Sequence, residues 1–519
     1  MKLFTKKEFV LFFLIFLLGA FLRLYHLDYP LGLHGDEAWP GIEANRILQS
    51  GSIGIWSLGA FGQPTLPFYW TALIFKFFGS NLLTLRLSFA LITIITLPFF
   101  YFIVRLFFGK TVGLIAFFLY VTARIPIHFS HIAQNAYMVP FLPTVFFFLI
   151  TLKKNSIQYA LACGFFLGIC FYVYVGLKIL PVLFILFVIF KSFQKNFLKT
   201  FWKKIIIISL FSFIIFLPLG IYAYENPDLF MSRLNFINIF SQESLIHEES
   251  VVGHKVSSIE ILGDNIKSIA LMFNFRGDGD PQDNQSNLPL FDVISGLFFA
   301  LGFIDSLFRF KDGRRIFILL WFFIFLAGSL FTIDAPNFRR VQPAIAASYI
   351  FVALGVKYLY MTIKKIIPKR VMHLKYIFIL VLIFIGIYNI QLYFTNQAIS
   401  QETKSTYAYP LVKVADYLNT FHQPLYVYFY SDRWPYHYET LRFLLSDVPG
   451  EDRSAQFGNF SLINTSKSKN VVYIFLPEYI SQLTELSQLY PNGKTHIAKD
   501  TDGTLLFGAY FLQDVKQSF

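Results

Sequence analysis

The chain has 519 residues, of which 55% are hydrophobic and only 14% are charged. One soluble core of this size could not bury so much apolar surface, so a water-soluble protein is excluded. The net charge of +13 would suit nucleic acid, but the basic residues lie in short blocks between apolar runs. That arrangement excludes a nucleic-acid partner and is typical of a membrane protein in a lipid bilayer.

Apolar runs of near bilayer-spanning length predict an α-helical polytopic protein with about eleven transmembrane helices. The first run follows a basic start, as in a secretion signal, but no small-residue cleavage site follows it, so we expect an uncleaved span. The predicted spans are 8–26, 82–107, 111–127, 136–152, 158–175, 178–192, 205–223, 290–309, 316–332, 342–361 and 374–394.

The positive-inside rule predicts the orientation of these spans in a cell membrane. With a cytoplasmic N-terminus, the basic blocks, including those near Arg105, Lys191 and Arg309, all fall on the cytoplasmic side. Residues 27–81 and 224–289 then form two long external loops. Leu66–Phe78 is apolar, but counting it as a span would reverse every later loop, so we expect a helix lying in the membrane interface.

The composition changes after residue 394, which predicts two domains. Residues 1–394 form the transmembrane domain, and residues 395–519 form a small extracytoplasmic α/β domain. Strand-like runs at Leu425–Tyr430 and at 470–476 alternate with helical patterns near 408–420 and 478–489.

The first external loop contains adjacent carboxylates, Asp36 and Glu37, at the start of a helical pattern. One interpretation is catalytic, because a carboxylate near the bilayer can take the proton from an acceptor hydroxyl that attacks a sugar. The other is a solvated acid at a helix start, where the helix dipole favours negative charge. The two residues alone leave both interpretations open.

An ordered set of short motifs accompanies these carboxylates. It consists of Gly-Asp-Glu-Ala at 35–38, Gln-Pro at 63–64, Phe-Gly-Ser at 78–80, Leu-Arg-Leu at 85–87, Asn-Leu-Pro at 287–289 and Ala-Pro-Asn-Phe-Arg-Arg at 335–340. In this order, the motifs resemble the protein O-mannosyltransferases (PMT) and the bacterial lipid A aminoarabinose transferases (ArnT), which are membrane glycosyltransferases of the GT-C class. The resemblance covers roughly residues 8–360.

The resemblance implies a GT-C-like fold and an inverting transfer on the external face of the membrane. The donor would be a sugar linked to polyprenyl phosphate, and the acceptor a hydroxyl of a protein, lipid or glycan. By the family motif, Asp36 would be the catalytic base, and Glu37 would orient the acceptor or hold a metal. No cofactor is required, although a divalent metal is compatible with the motif.

A lipid phosphate leaving group needs cations, and arginine offers a phosphate several donors at once. The candidates for donor binding are Arg339, Arg340, Lys178, Arg86 and Arg276, each of which could instead be an anchoring side chain at a helix end. Aminoarabinose transferases carry an acid before span four, where residues 130–140 of this chain have none. We therefore expect His131 or Asn135 in its place, or a different substrate, and His34 as a further cavity residue.

Two alternatives remain open. The loop at 276–284 has three acids within six residues, which fits either a calcium-like site or a polar surface turn. The whole chain could instead be a transporter or flippase of lipid-linked sugars. Transporters usually keep ionisable residues within their spans, whereas the spans here are nearly free of acids.

Overall fold

The computed structural model describes residues 4–59, 62–152, 156–193, 197–285, 287–368, 371–445, 448–456, 460 and 470–513. Most of these residues are helical, and the predicted fold class is confirmed. Before residue 395 the helices are α1 (Lys6–Leu24), α2 (Gly35–Ser50), α3 (Leu66–Phe78), α4 (Leu82–Phe108), α5 (Lys110–Thr122), α6 (Arg124–His128), α7 (Phe141–Thr151), α8 (Ile157–Ile169), α9 (Leu180–Ser192), α10 (Phe197–Glu225), α11 (Pro227–Ile237), α12 (Gln242–Val252), α13 (Ser258–Leu271), α14 (Val293–Phe308), α15 (Gly313–Leu330), α16 (Gln342–Ile366) and α17 (Val371–Gln391).

Each predicted span overlaps at least one helix of this set. Within the described residues, six helical segments are long and apolar enough to cross a membrane. They are Leu82–Phe108, Val175–Ser192, Phe197–Glu225, Gly313–Leu330, Gln342–Ile366 and Met372–Ile399.

The predicted span 111–127 is broken into α5 and α6. Pro126 has no backbone N–H for the Thr122 carbonyl, so α5 ends there and Pro126 falls in the first turn of α6. Arg124 is the first residue after the break. Its guanidinium donates to the side chains of Asn284 and Gln397 at 2.7 Å each.

The C-terminal part contains a five-stranded sheet in the order β4-β3-β5-β7-β6. Its elements are α18 (Gln401–Thr406), α19 (Tyr409–Leu418), β3 (Leu425–Tyr430), α20 (Glu439–Leu444), β4 (Gly450–Asp452), β5 (Asn470–Phe475), α21 (Gln482–Leu489), β6 (Lys494–Lys499) and β7 (Leu505–Leu512). β3 and β5 are parallel neighbours and buried along their whole length, which explains their unbroken apolar runs. The strands predicted from those runs are confirmed.

The three segments predicted to lie outside contact one another. In the first, two antiparallel strands of two residues each, β1 (Trp56–Ser57) and β2 (Gln63–Pro64), lie between α2 and α3. α2 packs against α3, whose Phe75 ring lies 6.1 Å from that of Phe443 in α20. The second predicted loop contributes α11, α12 and α13. The placement of α3 in the membrane interface stays a prediction.

Candidate active site

A cleft of about 770 Å³ lies where these segments meet. Its walls come from the first turn of α2, from α11 and α13, and from the loops that precede α14 and α16. Its charged lining consists of five acids and five bases, namely Asp36, Asp264, Asp278, Asp280, Asp334, Arg233, Lys267, Arg276, Arg339 and Arg340. Asp36 therefore shares one cavity with both arginines of the motif at 335–340.

Asp36 projects into this cleft from α2. His34 caps the helix, and its ring Nδ1 accepts a hydrogen bond from the Asp36 backbone N–H at 3.1 Å. The carboxylate is 49% exposed and lies 3.9 Å from both His34 Nδ1 and Arg339 Nη1. Within the described part of the chain it accepts no hydrogen bond, so its oxygens are open to a proton donor.

Glu37 points the other way and is fully buried. Its two oxygens accept from the Arg86 guanidinium at 2.7 and 2.9 Å, and the Ala133 backbone N–H donates to it at 3.1 Å. This corrects the expectation that Glu37 orients the acceptor or holds a metal, because the carboxylate is occupied by these donors and does not line the cleft.

Arg86 is likewise buried and does not reach the cleft. Besides Glu37, its guanidinium donates to the carbonyls of Leu27, Pro30 and Gly32 at 2.7–3.2 Å. The expected contact to a lipid phosphate is therefore replaced by a structural one. Arg86 fastens the start of the first loop to α4.

Arg339 lies at the centre of the charged wall. Its Nε is 3.1 Å from both oxygens of the buried Asp283, and its Nη2 donates to Gln282 at 2.6 Å and to Asp280 at 3.3 Å. These partners fix the direction of the guanidinium, which stays 14% exposed towards the cleft.

Arg340, the next residue, is held by the segment that follows α15. It donates to the Thr332 hydroxyl at 2.7 Å and to the Ile333 carbonyl, and Asp334 lies 3.5 Å away. Burial lowers the pKa of Arg340, but arginine titrates so high that the side chain remains a cation. Both arginines are thus fixed cations of the cleft that Asp36 lines, and Arg339 is the one within 3.9 Å of its carboxylate.

The acid-rich loop at 276–284 supports these arginines. The buried Asp278 accepts from the backbone N–H of Phe338 at 2.6 Å and from that of Asp280 at 2.9 Å. Burial and the nearby charge of Asp283 raise the pKa of Asp278. Among the described residues, no group of three or more His, Cys, Asp or Glu side chains has an arrangement that could hold a metal ion. The loop therefore supports Arg339 and the segment before α16 through its buried acids, Asp278 and Asp283, while Asp280 stays 42% exposed in the cleft.

The two remaining cations differ from each other. Arg276 lines the cleft, where its Nε lies 3.4 Å from the Asn287 side chain. Lys178 does not line it, and its ammonium lies 3.7 Å from the centre of the Phe230 ring and 5.9 Å from that of Trp56. The predicted phosphate contact of Lys178 therefore has no counterpart in this geometry.

His131 and Asn135 also lie away from the cleft. The ring nitrogens of the buried His131 are 2.9 and 3.0 Å from the carbonyls of Ile127 and Tyr25. Asn135 donates to the Gln63 side chain at 3.0 Å, which ties the β1–β2 hairpin to the segment before α7. Both are structural links, and of the three expected cavity residues only His34 is beside Asp36.

Sequence reasoning missed two cations of the cleft, Arg233 in α11 and Lys267 in α13. The positive-inside rule disfavours basic residues in a predicted external loop, so a lysine or arginine there indicates a function. Applied to the whole of 224–289, the same signal would have found both.

The family described as dolichyl-phosphate-mannose-protein mannosyltransferase matches residues 62–222, from β2 to α10. The crystal structure of ArnT from Cupriavidus metallidurans bound to undecaprenyl phosphate is 14% identical and aligns over 98% of both chains with a TM-score of 0.56. The oligosaccharyltransferase AglB from Archaeoglobus fulgidus, in complex with an inhibitory peptide and a dolichol-phosphate, is 14% identical. Its alignment covers 97% of this chain and 74% of AglB, with a TM-score of 0.53.

No curated protein matches the chain at the level of sequence. The matched segment and the shared fold confirm the resemblance predicted from the motifs. The chain is thus a multi-pass membrane protein with the GT-C fold of ArnT and AglB, and its residues 62–222 are similar to the mannosyltransferase family.

Proposed function

We propose that this protein is an inverting glycosyltransferase that moves a sugar from a polyprenyl-phosphate donor to an acceptor hydroxyl on the external face of the membrane. The observation that carries the proposal is the open carboxylate of Asp36 in one cleft with the fixed guanidinium groups of Arg339 and Arg340. A base and a phosphate-binding pair are the two elements that this transfer requires.

In the proposed step, Asp36 accepts the proton of the acceptor hydroxyl while that oxygen bonds to the anomeric carbon of the sugar. The bond between that carbon and the phosphate oxygen breaks, and the phosphate leaves with the electron pair. Attack opposite the leaving group inverts the configuration at the anomeric carbon. Base catalysis of this kind contributes about 10²–10⁴-fold to a rate.

The charge on the leaving phosphate would be stabilised by the arginines of the cleft. Arg339 and Arg340 are already oriented by their protein partners, so they need little reorganisation when the phosphate charge develops. Arg276, Arg233 and Lys267 add positive charge along the same cleft. The proposal includes no cofactor, and we assign no residue to a metal.

The fold comparisons support the donor class. ArnT was crystallised with undecaprenyl phosphate and AglB with a dolichol-phosphate, and this chain shares the fold of both. These comparisons support the lipid phosphate of the donor and leave its sugar open. A panel of polyprenyl-phosphate hexoses and pentoses would identify the sugar.

The test combines binding and turnover in the full-length protein. Undecaprenyl phosphate binding is measured by native mass spectrometry, and turnover by release of undecaprenyl phosphate from the donor panel, with membranes of the producing cells as acceptor source. Asp36→Asn is expected to keep lipid binding and to lose turnover by about 10²–10⁴-fold.

Two results would contradict the proposal. The wild-type protein could release no polyprenyl phosphate from any donor of the panel, or Asp36→Asn could turn over at the wild-type rate. A transporter of lipid-linked sugars predicts the first result, because moving the lipid across the membrane leaves the bond between the sugar and the phosphate intact.

A further inference from the structure

The C-terminal part of the chain contacts the segment that carries Asp36. The Gly35 backbone N–H, at the first position of α2, donates to the Tyr438 hydroxyl at 3.2 Å. This N–H is one of the groups that a helix start leaves without an intrahelical partner. Tyr438 therefore completes the hydrogen bonding of the turn that holds Asp36.

A second contact fixes the residue before the helix cap. The buried Thr440 hydroxyl donates to the Leu33 carbonyl at 2.7 Å, and the Leu33 N–H donates to the Tyr407 carbonyl. Both backbone polar groups of Leu33 are thus bonded to the C-terminal part. Such bonds are costly to leave unmade, because Leu33 is fully buried.

The packing at this junction leaves no room for a side chain. A Cβ on Gly35 would lie 2.8 Å from the Tyr438 hydroxyl, and one on Gly41 would lie 2.4 Å from the Phe443 ring. The glycines of α2 allow the C-terminal part to approach the helix backbone closely.

Tyr407 extends the contact to the arginine side of the cleft. Its hydroxyl donates to the Gln282 carbonyl at 2.7 Å, while the Gln282 side chain lies 3.1 Å from His34 and 2.6 Å from Arg339. One residue of the C-terminal part is therefore bonded both to the segment before Asp36 and to the loop that orients Arg339.

We infer that the C-terminal part belongs to the active site, with Tyr438 and Thr440 as positioning residues that aim Asp36 into the cleft. The inference rests on the proposed function, because it assigns to these residues an effect on the base. They touch the backbone of residues 33 and 35, and they act on the chemistry only through Asp36.

Conservative variants test each bond in the full-length protein. Tyr438→Phe keeps the ring and removes the acceptor of the Gly35 N–H, and Thr440→Val keeps the shape and removes the donor to Leu33. A lost hydrogen bond of ordinary strength is expected to lower kcat about tenfold with little change in KM for the donor. Thr440→Ser, which keeps the hydroxyl, is expected to retain wild-type turnover.

Hydrogen–deuterium exchange provides a readout that does not depend on turnover. Tyr438→Phe is expected to speed exchange about tenfold in residues 31–41 and to leave strand β3 unchanged. The matched control is Tyr436→Phe, whose hydroxyl donates to the Val448 carbonyl at 3.0 Å within the C-terminal part. It is expected to change neither exchange in 31–41 nor turnover.

A double variant separates positioning from general stability. If Tyr438 acts through Asp36, Asp36→Asn with Tyr438→Phe has the residual turnover of Asp36→Asn alone. Wild-type exchange and turnover in both Tyr438→Phe and Thr440→Val would overturn the inference, as would equal losses in Tyr436→Phe. These results leave the proposed function standing, since that proposal fails only on the Asp36→Asn and donor-panel results.

Discussion

The two sides of the first turn of α2 carry adjacent carboxylates with different surroundings. Asp36 is 49% exposed in the cleft, whereas the carboxylate of Glu37 is fully buried against Arg86. Successive residues of a helix differ in direction by about 100°, so neighbours in sequence face different environments. The comparison teaches that a two-acid motif need not provide two catalytic groups: here one carboxylate faces the cleft and the other holds the helix in place.

The same contrast holds between two arginine sites. Arg86 donates to a buried carboxylate and to three carbonyls, and it has no exposed surface. Arg339 also has acidic partners, yet its guanidinium remains partly exposed to the cleft. Both were expected to bind phosphate, and only the second is placed for it.

The largest expected effect on stability comes from removing the charge of Glu37. Glu37→Gln leaves Arg86 as an uncompensated buried cation, which costs about 3–5 kcal/mol. We expect a clear fall in the Tm of the purified protein. Asp36→Asn, one residue away and half-exposed, should change stability by less than about 0.5 kcal/mol. Equal stability of the two variants would contradict the comparison.

Replacing both members of the buried pair is expected to cost less than Glu37→Gln. In Glu37→Met with Arg86→Met no buried charge is left, although the carbonyls of Leu27, Pro30 and Gly32 lose their donor. We expect a Tm between those of the wild type and Glu37→Gln. A double variant less stable than Glu37→Gln would show that the carbonyl contacts, not the ion pair, dominate.

Arg339→Lys should affect turnover more than folding. Lysine cannot reproduce the planar fork that contacts Asp283, Gln282 and a phosphate together, and a charged hydrogen bond is worth about 1.5–3 kcal/mol. We expect a fall of about 10- to 100-fold in undecaprenyl phosphate release. Arg276→Lys is the matched comparison at the exposed rim of the cleft, and its loss should be clearly smaller.

The smallest expected effect is that of removing divalent metal. The acids near Asp36 contact arginines and backbone N–H groups, so turnover after EDTA treatment is expected to equal that of the untreated protein. The rate is measured before and after addition of Mg²⁺, Mn²⁺ or Ca²⁺. Loss of turnover with EDTA and its return with one of these ions would contradict this expectation.

Much of the fold could be predicted from apolar patterning. The runs that became α4, α10 and α16 have the length and composition of spans, and the runs of β3 and β5 are those of buried parallel strands. The break between α5 and α6 was missed, although Pro126 marks it, because the flanking residues remain apolar on both sides.

The site could be predicted only in part. Asp36, His34, Arg339, Arg340 and Arg276 surround or line one cleft, but Glu37, Arg86, His131 and Asn135 form contacts inside the protein. Nothing in a linear motif distinguishes a buried ion pair from an exposed cation. That distinction depends on which partner lies opposite, and the partners of Arg86 include Glu37, 49 residues away.

The sequence by itself determined that the chain is a helical membrane protein and that its motif acids lie at the start of a helix, and the resemblance of its motifs implied the GT-C architecture. The first two properties follow from local composition and spacing, because hydrophobic length and helix capping act over a few residues. Only the tertiary structure decided that Asp36 rather than Glu37 faces the cleft, and that Tyr438 and Thr440 bond to the segment that carries Asp36. Both outcomes arise from contacts between residues far apart in the chain, whose proximity is fixed by packing rather than by neighbouring residues.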